Sequence, residues 1–206
     1  MAGAAGSLLW MPRDEALARL EEAGQRLQVL DQDNYYTYMT RSFQAFLQAD
    51  WDTKLQTHRE MVKRFPSHPY THMGHALALA ALGQFEQCIE SARLATRLGP
   101  RDYSAAVYIH IAATCEFMRG EYAQAAQLAR TAYGMNPRLP SPPVLLAAAL
   151  ALDGRPDEAR AVVAEYLQHN PGYRAEHFGR FLRGRDARYL EGRDRAIAAL
   201  RTVGMP

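Results

Sequence analysis

The sequence is short of the features that most readily betray a function. Two cysteines among 206 residues, Cys88 and Cys115, are too few for a disulfide framework. Each falls inside an apolar helical pattern, which predicts reduced, buried thiols in a cytoplasmic protein. Long apolar runs are missing too: the least polar stretch, Met73 to Leu82, is interrupted by His75 and is too short to cross a bilayer, so no membrane partner is expected. Neither sign of charge prevails, with 24 Lys and Arg against 22 Asp and Glu, and a net +2 lacks the field of a dedicated nucleic-acid binder. No G-x-x-x-x-G-K loop, G-x-S-x-G turn, H-E-x-x-H helix or G-x-G-x-x-G fingerprint occurs. The paired acids Glu21–Glu22 and Asp31 with Asp33 lie at a helix end or turn, where capping and solvation account for them. The chain is therefore not expected to be an enzyme, nor to hold a cofactor or metal.

What is present is a folded, globular balance of 48% hydrophobic and 22% charged residues, arranged with a period. Pro66, Pro100, Pro137 and Pro171 are spaced 34, 37 and 34 residues apart, and each follows an amphipathic segment that a proline would end. Seventeen residues before them stand Ala49, Gly83, Gly120 and Gly154, and two residues further on Trp51, Phe85, Tyr122 and Pro156. A small residue permits a tight turn between two helices, and an aromatic just after it fills the joint. Small residues then recur at Cys88, Ala92 and Ala95, and at Ala125, Ala129 and Ala132, allowing neighbouring helices to approach closely.

The spacing predicts helix pairs over 35–48 with 51–64, 69–82 with 85–98, 103–118 with 122–135, and 141–152 with 156–169. The three extra residues of the third unit lie between Pro100 and Gly120, and Pro142 and Pro143 fit only the first turn of a helix. Upstream, residues 13–30 carry helical apolar spacing in register with a second helix, as a half-repeat cap. Residues 1–12 read as a disordered N-terminal stretch rather than a signal peptide, and the half-repeat opening is the pattern of a chain cut from a longer protein. Residues 172–206 predict two capping helices, Tyr173 to Leu182 and Ala187 to Val203.

The Gly-x-aromatic, alanine-ladder and proline pattern across residues 35–171 resembles the tetratricopeptide repeat (TPR) family, whose period is about 34 residues. The resemblance implies an all-α, right-handed α-solenoid of antiparallel helix pairs with an N-terminal half-repeat helix and C-terminal capping helices. More narrowly, the third and fourth repeats, Tyr189-Leu190-Glu191 and the ending Leu200-Arg201-Thr202-Val203-Gly204-Met205-Pro206 are similar to the C-terminal TPR regions of bacterial nucleotide cyclases and winged-helix regulators. The first repeat departs from the family pattern, with Ala49 for glycine and with Lys54 and His58 at places normally small or aromatic.

In that family the first helices of the repeats line a concave groove. Carrying its places across gives Tyr36, Met39, Thr40, Phe43, Phe46 and Leu47; Tyr70, Met73, Gly74 and Leu77; Val107, His110, Ile111, Thr114 and Phe117; and Ser141, Val144 and Leu145. The resemblance thus implies a regulatory or protein-interaction module that takes a protein or peptide with an apolar segment, since Met adapts its shape and aromatics carry contact energy. One alternative fills the groove with the chain's own terminal helices, and another makes it a homodimer contact. His68, His72 and His75 invite a metal reading by spacing, but the repeat frame places them in a turn and in inter-helix core. A nucleic-acid face is the remaining alternative, through Arg174, Arg180, Arg183, Arg185, Arg188, Arg193, Arg195 and Arg201 with Tyr173, Phe178, Phe181 and Tyr189 beside them.

Overall fold

The computed structural model describes residues 12–31, 33–181 and 184–206, and within them the chain is helical throughout. Residues 1–11, Arg183 and the side chains of Arg180 and Phe181 lie outside the described residues, so the predicted N-terminal stretch and part of the basic cluster do too. The chain forms two compact units divided between Pro66 and Ser67.

The first unit holds α1 (Arg13–Leu30), α2 (Tyr35–Gln48) and α3 (Trp51–Arg64). Its second and third helices begin where short polar side chains cap them: Asn34 accepts from the Tyr36 amide, and Asp50 from the Thr53 amide at 3.0 Å. Ala16, Leu20 and Leu47 form a buried cluster against which Leu17, Phe43 and Phe46 pack, joining α1 to α2. At the α2–α3 joint, Phe46 meets Trp51 edge to face at 5.8 Å. Ala49 makes the turn at φ 58°, a left-handed conformation in which its Cβ is strained and which glycine occupies in the later repeats. Inside this hairpin the two unusual residues of the first repeat meet. Buried Lys54 donates to Ser42 Oγ at 2.7 Å, and the same oxygen lies 2.8 Å from His58 Nε2. Burial lowers the Lys54 pKa to about 7.

The second unit stacks three hairpins: α4 (Pro69–Ala81) with α5 (Phe85–Leu98), α6 (Ala105–Arg119) with α7 (Tyr122–Met135), and α8 (Ser141–Leu152) with α9 (Pro156–His169). Two helices, α10 (Ala175–Phe181) and α11 (Ala187–Thr202), close it. Prolines start α4, α8 and α9, where a missing amide costs nothing. The ladder residues Cys88, Ala92, Ala95, Ala125, Ala129 and Ala132 are all fully buried, so the second helix of one hairpin packs closely on the first helix of the next. The extra residues of the third repeat form a turn rather than two further helical residues: Asp102 takes the Ser104 amide at 3.0 Å, and α6 starts at Ala105, not at 103.

One expectation is corrected. Cys88 and Cys115 are not free thiols but a disulfide, with Cα atoms 6.6 Å apart. A sequence separation of 27 carries the chain from one face of α5 back to the facing side of α6, so cysteines that read as remote along the sequence are adjacent across a helix pair. Compartment arguments from cysteine count alone do not see this proximity.

Candidate partner-binding surface

In the first unit, the residues assigned to the groove divide by exposure. Tyr36 is 42% exposed, Met39 and Phe43 are half-buried, and Thr40 is buried with its hydroxyl donated to the Tyr36 carbonyl at 2.9 Å. Phe43 belongs largely to the α1–α2 core. Beside them a cleft of about 400 Å³ is lined by Gly24, Asp33, Thr37, Tyr38, Thr40, Arg41, Gln44 and Glu60. It is polar, and its charges are neutralised from within: Asp33 pairs with Arg64 at 3.1 Å and accepts from the Tyr38 hydroxyl at 3.3 Å, while Glu60 lies 3.9 Å from Arg41.

In the second unit, Tyr70, Met73 and Leu77 of α4 and Val107 and His110 of α6 are half-buried, each presenting part of its surface. Tyr70 is fixed by a 2.5 Å hydrogen bond between its hydroxyl and Ser104 Oγ and by edge contact with Tyr108 at 6.1 Å. Met73 packs on the buried cluster of Ala95, Ala105 and Tyr108. His110 has its Nδ1 shut off from solvent, without a hydrogen-bond partner among the described residues, and burial lowers its pKa to about 4, so the imidazole is neutral at pH 7.

Several assigned positions are core instead. Phe117 is fully buried, its ring edge-on to Tyr122 at 5.3 Å in the hairpin joint, and Thr114 is buried with its hydroxyl on the His110 carbonyl at 3.0 Å. Val144 and Leu145 are fully buried as well. In addition, α11 lies against α6 and α8 on the first-helix side of the last two repeats. Its N-terminus is held on the α4–α5 turn: the Arg185 amide donates to the Ala81 carbonyl at 3.0 Å, and the Arg188 side chain to the Gly83 carbonyl at 2.6 Å while stacking over Phe85 at 5.2 Å. Gly83 is at φ 72° with the Asp186 carboxylate where a Cβ would be, so both the turn and the close approach require glycine there. Further along, Met118 Sδ occupies the space above Gly192. The chain's own C-terminal helix therefore fills part of the predicted groove.

The other candidate chemistries meet ordinary structural roles. His72 is buried, His75 Nδ1 lies 3.0 Å from Ser91 Oγ, and the His68 ring packs near Tyr70. No group of three or more metal-binding side chains occurs among the described residues. Of the aromatics that a nucleic-acid face would use for stacking, Phe178 is fully buried and Tyr189 is 5% exposed. Arg188 is spent on the α4–α5 turn, Arg193 pairs with Asp194 and Arg201 with Glu176. No described helix is long and apolar enough to cross a membrane.

Residues 116–177 match the tetratricopeptide repeat family model. Among solved structures, the chain is similar to TTC0263, a thermophilic TPR protein of Thermus thermophilus, at 21% identity over 91% of this chain and 90% of that one, with a TM-score of 0.66. It is also similar to the type IV pilus biogenesis factor PilW, at 15% identity over 97% and 86% of the two chains and a TM-score of 0.71. A third is YrrB, a TPR protein with an unusual peptide-binding site, at 15% identity over 86% and 92% of the chains and a TM-score of 0.60. No curated protein matches the sequence.

Proposed function

Because residues 116–177 match the tetratricopeptide repeat family model and the chain shares the fold of TPR proteins, we propose that it is an interaction module and that its second unit receives an apolar segment of a peptide or protein on the first helices of its hairpins. The observation that carries the reading is the partial exposure of Tyr70, Met73, Leu77 and His110 on α4 and α6, beside the part of that side which α11 already covers. An apolar side that is covered by a helix along one part and open along the next supports an occupant of the same kind, namely a helix with a small or apolar face. Neutral His110 adds no charge to the surface, which suits an apolar occupant. The peptide-binding site named for the similar fold of YrrB is consistent with this use of the repeats.

In the first unit, Tyr36 and Met39 are a smaller surface of the same kind, while the adjoining cleft is polar. Selection of a displayed peptide library on the full chain tests the proposal. Enriched sequences should carry apolar residues at helical spacing and lose binding to Met73→Glu and Leu77→Glu variants that keep a cooperative melt. Enrichment that both variants retain would place the binding surface elsewhere.

A further inference from the structure

The second unit exposes three large hydrophobic side chains among its described residues: Leu98 at 38%, Tyr103 at 84% and Met135 at 48%. All three lie at the junctions that lead from one hairpin to the next. Leu98 and Met135 hold the same place in successive repeats, two residues before Pro100 and Pro137. Each proline is followed by an arginine, Arg101 and Arg138, and Arg97 lies in the last turn of α5. These three arginines are exposed, and none is paired with a described carboxylate, although most other arginines of the unit are. The one acid within the junction segments 97–103 and 135–138, Asp102, accepts the Ser104 amide at 3.0 Å and the Tyr108 hydroxyl at 3.0 Å.

The junctions are also held in shape. The Asp102 amide bonds to the Gly99 carbonyl at 3.1 Å, and a Cβ on Gly99 would meet Pro69 at 2.9 Å. Asn136 organises the second junction in the same way, accepting the Arg138 amide at 3.2 Å on its side chain and the Leu139 amide at 3.1 Å on its carbonyl. Because the backbone of both junctions is already fixed, a segment docking there pays for ordering side chains but not for ordering the loops. Guanidinium groups select carboxylates by planar, two-point hydrogen bonding. Scattered single hydrophobics need no explanation, but confinement of all three to one edge, interleaved with unpaired positive charge, does.

We propose that this loop edge, built on Leu98, Arg101, Tyr103, Met135 and Arg138, is a second docking surface, and that its occupant is an extended protein segment in which acidic and apolar residues alternate. Its first junction borders the surface on α4 and α6, where Tyr70 bonds to Ser104 at 2.5 Å.

The test uses the full chain and a fluorescein-labelled peptide of repeated Glu-Leu-Asp-Gly-Tyr units, with a polyglutamate peptide of equal charge beside it. The mixed peptide should bind, and polyglutamate about tenfold more weakly. Arg101→Glu with Arg138→Glu should abolish binding of the mixed peptide. Tyr103→Ala with Met135→Ser should remove its advantage over polyglutamate. All four positions are exposed, so the fold should survive. Equal binding of the two peptides, or insensitivity to both double variants, would overturn the proposal. Retention by heparin or anionic vesicles through the same arginines, with no binding of the mixed peptide, would also overturn it, in favour of a polyanion or membrane contact.

Discussion

Replacing Lys54 by methionine should stabilise the first unit at neutral pH and remove a pH dependence that the wild-type chain shows. Lys54 is buried, with Ser42 Oγ as the acceptor for its amine and no ion-paired carboxylate among the described residues, and its pKa falls from 10.5 to about 7. In the unfolded chain it keeps its ordinary value, so between these two pH values the unfolded state binds the extra proton and stability rises with pH. Below about pH 7 both states are protonated and the full penalty applies. At about 1.4 kcal/mol per decade of proton affinity, that penalty is on the order of 5 kcal/mol, and from pH 7.5 to 9.5 the wild type should gain roughly 2–3 kcal/mol. Methionine fills a similar volume without the charge, leaving Ser42 its contact with His58.

Trp51 is 4% exposed at the α2–α3 joint, and its fluorescence reports this unit once Trp10 is changed to phenylalanine in both proteins. Urea titrations across that pH range should show a rising midpoint for the wild type and a flatter, higher one for Lys54→Met. Parallel slopes in the two proteins would refute the reasoning, because the pH dependence would then arise from another group.

Three further outcomes follow from the packing. Ala49→Gly relieves a left-handed alanine and should raise the stability of the first unit by about 1 kcal/mol, read from the same Trp51 transition. Breaking the Cys88–Cys115 disulfide, by reductant or as Cys88→Ala with Cys115→Ala, opens a 27-residue loop and should cost the second unit about 3.5 kcal/mol, seen as a lower calorimetric Tm, with no reactive thiols before reduction. Gly192→Ala should be tolerated because the Met118 side chain can swing away, whereas Gly192→Leu should loosen α11 and admit limited proteolysis near residue 186.

Most of the fold was legible because its determinants are local. The positions of proline, glycine and alanine mark where helices stop, turn and pack, and these follow from φ limits and side-chain volume alone. The start of α6 differs because Asp102 captures the Ser104 amide, a side-chain contact that no period reveals. The binding surface was only partly legible. Counting repeat positions placed Thr40, Thr114 and Phe117 on the groove, but all three are buried, Phe117 in the hairpin joint against Tyr122. The covering of α8 by α11 is a long-range contact between segments whose pairing no spacing encodes. Cys88 and Cys115 illustrate the same limit, since only helix stacking makes them neighbours. Lys54 and His58, by contrast, stood out in the sequence as departures from the repeat pattern, and the structure explains them by mutual contact through Ser42.

The most direct measurement of the central claim is a methyl NMR titration of the full chain, labelled at its methionines, with a peptide selected from the library. Met73 is half-buried on the proposed surface, Met61 and Met205 are core residues, and Met135 lies on the loop edge. With resonances assigned by single Met→Leu variants, the Met73 methyl should shift in a saturable way while Met61 and Met205 stay in place. Saturable binding that leaves Met73 unmoved would contradict the account.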